Sequence, residues 1–210
     1  MSHYSPPFEI HVHGDIPLRP DVSASQLEEA LRPLWHYASA NGLAEGATSL
    51  YQEEPGIAHD VAESVLRLCW TVAGDQDFRA VMEDACSGLN ELTTEGAAIE
   101  VSFYDTEFDE EEAHEDEQAR DDFLMCFVGP TPQAILQVQR DMLVQDVVQT
   151  MERHFDASEL GAVVYAIDDL FRQRFEALQH SMSWGRAAPR PRGGGSGGGG
   201  RGGRKPRHLH

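Results

Sequence analysis

The sequence predicts an α+β domain, a four-stranded sheet with helices packed on one face, followed by a disordered, basic, glycine-rich tail. Three observations predict it. Period-two alternation of apolar and polar residues recurs in "FEIHVHGDI", "SVLRLCWTVAGD" and "AAIEVSFYD", the period of half-buried strands. Apolar residues at helical spacing separate and follow these segments. After Trp184 all periodicity stops, and ten of the last 26 residues are glycine. The chain therefore divides into one domain over 1–184 and a tail over 185–210.

In the first strand Phe8, Ile10, Val12 and Ile16 point inward, and Glu9, His11, His13 and Asp15 point outward. A helix follows over residues 21–42. Ser23 with Gln26, or Ser25 with Glu28, suits a capping box, and Leu27, Leu31 and Leu34 make its apolar stripe. Pro33 removes a backbone donor inside that helix, so a kink or interruption is expected there. Residues 43–60 read as a long connection, with Tyr51 packing back.

The second strand sends Leu66, Leu68, Trp70 and Val72 one way and Arg67, Cys69 and Thr71 the other. Gly74 ends it, and Asp75 caps a helix reaching about Leu92. The third strand turns Ile99, Val101 and Phe103 inward and Glu100, Ser102 and Tyr104 outward. "DFLMCFVG" is apolar on both faces, which predicts a central strand. Thr131 before Pro132 starts the next helix, running to about His154. Asp156 with Glu159 caps the last one. The long apolar side chains of these two helices are read as core. Leaving aside the extra helix at 75 to 95, the order strand, helix, strand, strand, strand, helix fits a ferredoxin-like topology or a variant of it.

Charge is distributed unevenly. Residues 185–210 hold six arginines and Lys205 with no acid, while residues 1–184 hold nine basic and 36 acidic side chains. Such a body repels nucleic acid and anionic membranes and favours basic partners. Eleven of its acids lie in "YDTEFDEEEAHEDEQARDD", residues 104–122. That run lacks the glycine and the ligand offsets of a calcium loop, so it reads as a solvated connection between two strands. The basic tail is its one charge-complementary partner in the chain, and contact between them is expected.

Cys69, Cys86 and Cys126 sit among apolar residues without metal or redox spacing, as buried free thiols of a reducing compartment do. The N-terminus lacks the charge and apolar run of a secretory signal, and no stretch of 18 apolar residues occurs. A cytoplasmic protein without membrane contact is expected. The segments "HVHGDIPLRPD", "LCWTVAGD" and "DDFLMCFVGPTP" resemble an uncharacterised family of bacterial proteins of unknown function, over residues 8 to 180. That resemblance implies no activity and assigns no role to any residue.

No phosphate loop, dinucleotide fingerprint, zinc-protease helix or serine elbow is present, so neither a cofactor nor a catalytic residue is assigned. The richest polar group is the outward face of the sheet: Glu9, His11, His13, Arg67, Glu100 and Tyr104. Two readings of that face stay open. It is a protein-contact or self-association surface, the leading expectation for a non-enzymatic interaction domain. Alternatively, His11 and His13 serve a small molecule or a metal, enzymatically or not. A third reading gives the tail, through Arg192, Arg201, Arg204, Lys205 and Arg207, a weak and salt-dependent contact with RNA or another polyanion.

Overall fold

A computed structural model describes residues 8–106 and 122–185 of the chain. These fall into two units, one ending at Phe175 and one starting at Glu176, and the account below concerns the first. The acidic run over 107–121 and the arginine-bearing tail from residue 186 lie outside the described residues, as do the expectations placed on them.

The fold is α+β, and its sheet has five antiparallel strands in the order β2-β3-β1-β4-β5. The strands are β1 (Phe8–Pro17), β2 (Gly56–Asp60), β3 (Val65–Gly74), β4 (Ala97–Asp105) and β5 (Asp122–Val128). Between β1 and β2 run three short helices, α1 (Ala24–Ala30), α2 (Arg32–Tyr37) and α3 (Leu43–Gly46). Helix α4 (Phe78–Asn90) joins β3 to β4, and α5 (Pro132–Met151) and α6 (Ala157–Gly185) follow β5. From β1 to β4 the chain runs strand, helices, strand, strand, helix, strand, with lateral order 2-3-1-4.

Alternation decides which side of the sheet becomes core. Ile10, Val12, Leu66, Leu68, Trp70, Ile99, Val101 and Phe103 are all buried on one face, against Leu27, Leu31, Leu34 and Trp35 of α1 and α2 and Phe78, Met82 and Leu89 of α4. Phe103 stands edge-on to Phe8 and to Phe78. Burying side chains of this size contributes roughly 1.5–3 kcal/mol each. Ser23 and Gln26 form the capping box of α1. The interruption falls at Leu31, so that Pro33 sits in the first turn of α2, where its missing N–H is no loss. The caps of the last two helices also form: Thr131 Oγ1 accepts from the Ala134 amide, and Asp156 and Glu159 bond each other's backbone amides.

Five expectations are corrected. The sheet has five strands rather than four, because the supposed long connection over 43–60 contains α3 and β2. Strand β2 is five residues long, buries only Gly56 and Ile57, and so leaves almost no alternation to read. Strand β5 is an edge strand and β1 is central. The second apolar face of β5 is left half open, with Phe123 52% exposed. The N-cap position of α4 is Asp77, which makes no side-chain capping bond; Asp75, two residues earlier, accepts from the Asp77 amide in the turn that leads into the helix, and from Tyr37. Cys69 is only half-buried, on the outer face, unlike the buried Cys86 and Cys126. Finally, α5 and α6 are not core helices: Leu136 and Ile167 are their only buried apolar residues among those described.

Candidate functional site

The helices that bury one face of the sheet leave the other open, and register determines which side chains meet there. His11 lies opposite Thr71 on β3 and Ser102 on β4, and Ser102 lies opposite Phe123 on β5. His13 lies between Cys69 and Glu100, Glu9 opposite Tyr104, and Asp15 opposite Arg67. All six residues singled out from the sequence therefore share this face. Arg67 stands at the β2 end, where Asp60 takes its guanidinium at 3.5 Å.

The connection from Thr48 to Pro55 folds across the β3 side of the face. Its backbone is tied down by Leu50 N–H donating to the Thr71 carbonyl (3.0 Å), and the Trp70 indole N–H donates to the Thr48 carbonyl (3.2 Å). Two side chains of this segment close a polar chain. Tyr51 donates its phenol proton to Glu9 Oε2 at 2.7 Å, and the other Glu9 oxygen meets His11 Nε2 at 2.6 Å. On the far side of the ring, His11 Nδ1 lies 3.3 Å from Thr71 Oγ1. Thr71 donates to Glu54 at 2.8 Å, Ser49 donates to the same carboxylate, and the Thr71 amide donates to Ser49 Oγ at 2.9 Å. Thr71 has one hydroxyl proton, and the shorter distance assigns it to Glu54.

The electrostatics follow from these contacts. Burial pushes the Glu54 carboxyl up, but hydrogen bonds from Ser49 and Thr71 outweigh it, with His11 and His13 adding positive field, and hold it below the usual carboxylate range. The Tyr51 phenol is raised, first by its bond to Glu9. The Cys69 thiol is raised by burial and then by Glu54, which keeps it protonated and a poor nucleophile. Buried in the core between α4 and β5, Cys86 is raised through its contact with Cys126 and by burial.

Chemically the group is closed on itself. Both nitrogens of His11 face protein partners, Glu9 is engaged by His11 and Tyr51, and Glu54 is engaged by Ser49 and Thr71. Among the described residues no group of three or more His, Cys, Asp or Glu side chains is placed to hold a metal ion. What the face presents outward is aromatic and acidic. Tyr51, Tyr104 and Phe123 are 42%, 48% and 52% exposed. The Tyr104 ring meets His11 edge-on at 4.9 Å. A cleft of about 390 Å³ lies between Tyr104, Asp122 and Phe123. Sequence reasoning missed Ser49 and Glu54, because no periodicity marks a loop residue that reaches back to a strand. Tyr51, expected to pack back, does so.

Fold and face together define a small α+β sheet protein with helices over one face and a partly strapped, polar and aromatic second face. A family model described as a family of unknown function, DUF6806, matches residues 8–172, and the chain belongs to that family. The match begins at the first residue of β1 and ends within α6, so it includes the whole open face. No curated protein and no solved structure matches the chain. No helix among the described residues is long and apolar enough to cross a membrane.

Proposed function

We propose that this protein is a non-enzymatic interaction domain that binds a basic protein segment on the open face of its sheet. The observation that carries the reading is the composition of that face. Among the described residues, Glu9, Asp15, Glu54, Asp60 and Glu100 stand on it against a single guanidinium, Arg67, which Asp60 already engages. Exposed Tyr51, Tyr104 and Phe123 supply the rigid amphipathic contact area on which protein interfaces draw. A basic segment gains charge complementarity from the carboxylates and stacking on the aromatic rings. The closed hydrogen-bond chain around His11 holds these groups in place rather than offering a base or nucleophile. In this reading β1 to β4 with their helices are a ferredoxin-like unit and β5 is an added edge strand, and the unpaired cysteines fit a cytoplasmic setting.

The test is titration of the full-length protein with an arginine- and lysine-rich peptide, followed by fluorescence anisotropy at low and moderate salt. Glu100→Gln with Tyr104→Ala is expected to weaken binding at least about tenfold, a loss of roughly 1.4 kcal/mol. Equal binding by this variant and the parent refutes the proposal. A small-molecule role for His11 and His13 is the second reading, supported by their stacked rings 6.5 Å apart on one face. It requires that replacing both histidines change ligand-induced stability and leave peptide binding intact. The polyanion reading of the tail rests on its charge alone and is tested by RNA binding before and after removing residues 185–210.

A further inference from the structure

Helix α5 is apolar on every side. Ile135 and Met142 lie on one flank, Leu136 and Leu143 on a second, and Val144 and Val148 on a third. Nine polar residues are interleaved with them, so each flank is an apolar stripe that gains from a neighbour rather than part of a wholly apolar surface. Here α5 meets the sheet at β4 and β5, where Gly96 and Gly129 admit the Ala134 end of the helix. Its other neighbour is α6, tied to it by Arg140 donating to Asp168 at 2.7 Å. One sheet margin and one helix do not cover three apolar flanks. Leu143 remains 43% exposed on α5, and Leu170 65% exposed on α6.

We propose that the α5–α6 hairpin, residues 132–175, is a self-association surface that seats the same hairpin of a second copy. Charge selects that occupant. Residues 1–131 carry 28 acidic and five basic side chains, so most of the molecule repels its own copies. Residues 132–175 carry seven acidic and four basic side chains, so, the basic tail aside, a second acidic body meets less repulsion here than over residues 1–131. Arg140, with Asp141 and Asp168 around it, and Arg172, with Asp169 beside it, place both signs on this surface. A two-fold contact uses one patch twice, and a patch that carries both signs is able to complement itself. Size agrees as well. A 20-residue helix is about 30 Å long, so two helices side by side cover ~600 Å² per copy, or ~1,200 Å² in all, enough for a specific interface. Two stacked hairpins give every helix two neighbours, as in a four-helix bundle.

The test is the mass of the full-length protein by sedimentation equilibrium between about 1 and 100 μM, paired with amide hydrogen exchange at both ends of that range. A dimer is expected, with protection over residues 132–175 rising with concentration. Leu143→Glu combined with Leu170→Glu is expected to weaken association at least tenfold, while Glu100→Gln on the sheet leaves it unchanged. Should the double variant misfold, the exchange pattern of the parent protein still decides. A monomer throughout the range overturns the proposal, and so does concentration-dependent protection that falls on the strands instead of the hairpin.

Discussion

Tyr51 donates to Glu9 at 2.7 Å across 42 residues of sequence, and this bond fastens the segment before β2 over the central strand. Because Glu9 also holds His11 at 2.6 Å, one carboxylate joins the strap to the polar row of the sheet. Loosening the strap has a local readout. Tyr51→Phe keeps the ring and removes the proton, so the amides of Leu50 and Thr71, both bonded between strap and strand, should exchange faster. The global unfolding midpoint should barely move. Unchanged exchange at both amides would show that the backbone bonds alone hold the strap.

Glu54 makes the strap sensitive to acid. Its carboxyl lies below the ordinary range because the Ser49 and Thr71 hydrogen bonds outweigh the opposing effect of burial. A lowered folded-state value stabilises the fold above the ordinary carboxyl pKa, near 4.5, and that contribution is lost as pH falls through the folded value. Urea unfolding of the parent protein should therefore steepen its loss of stability below about pH 4.5, and Glu54→Gln should remove that component. Parallel acid profiles for the two proteins would contradict the assignment.

Thr71 is the buried end of the same chain, 1% exposed. Thr71→Val preserves its shape and leaves Glu54 without one of its two hydroxyl donors, so a loss of about 1–3 kcal/mol in urea unfolding is expected. Thr71→Ser, which keeps the hydroxyl, should recover most of it. A neutral valine variant beside a destabilised serine variant would assign the effect to packing of the methyl group instead.

The strands that were legible in the sequence share one property: each has one face in the core and one in solvent. Phe8, Ile10 and Val12 alternate with Glu9, His11 and His13, and the same contrast marks β3 and β4, so the six residues of the open face could be read together before any register was known. Strand β5 misled because its two-sided apolarity reflects an edge with Phe123 left open, not a place in the middle. In α5 and α6 the apolar spacing was correctly read as helical but wrongly as core. Periodicity reports that a face seeks cover, not what covers it. Ser49 and Glu54 escaped for a different reason: their partner, Thr71, is 22 and 17 residues away, and nothing local encodes a loop's reach.

Tyr37 governs the alkaline side. Its hydroxyl accepts from the Asp75 amide at 2.7 Å and donates to Asp75 Oδ1 at 3.1 Å, tying α2 to the turn before α4. Burial, reinforced by the Asp75 charge, pushes the phenol up to about 12. A raised value means that the stabilisation is complete below pH 10 and is lost as pH rises toward 12. Absorbance titration at alkaline pH should show a late phenol that Tyr37→Phe removes, and the variant should lose less stability than the parent over that window. Persistence of the late transition in Tyr37→Phe would assign it to another tyrosine.

Gly56 holds the strand that alternation failed to reveal. Its φ of +74° is a conformation that side-chain-bearing residues adopt at a cost, and a Cβ there would overlap the Ala47 carbonyl oxygen. That same oxygen accepts from the Ile57 amide at 3.0 Å, so the close approach is what starts β2 alongside the end of α3. Gly56→Ala must either hold a strained backbone, at roughly 1–3 kcal/mol, or push Ala47 away and forfeit the bond. Thermal unfolding is expected to shift down by several degrees, since 1 kcal/mol moves a domain of this size by about 2–4 °C. The loss should be local in origin, with exchange accelerated first at Ile57 and His59 while Val12 and Val101 in the central strands stay protected. If the midpoint holds and Ile57 stays protected, the glycine is not what sets this strand.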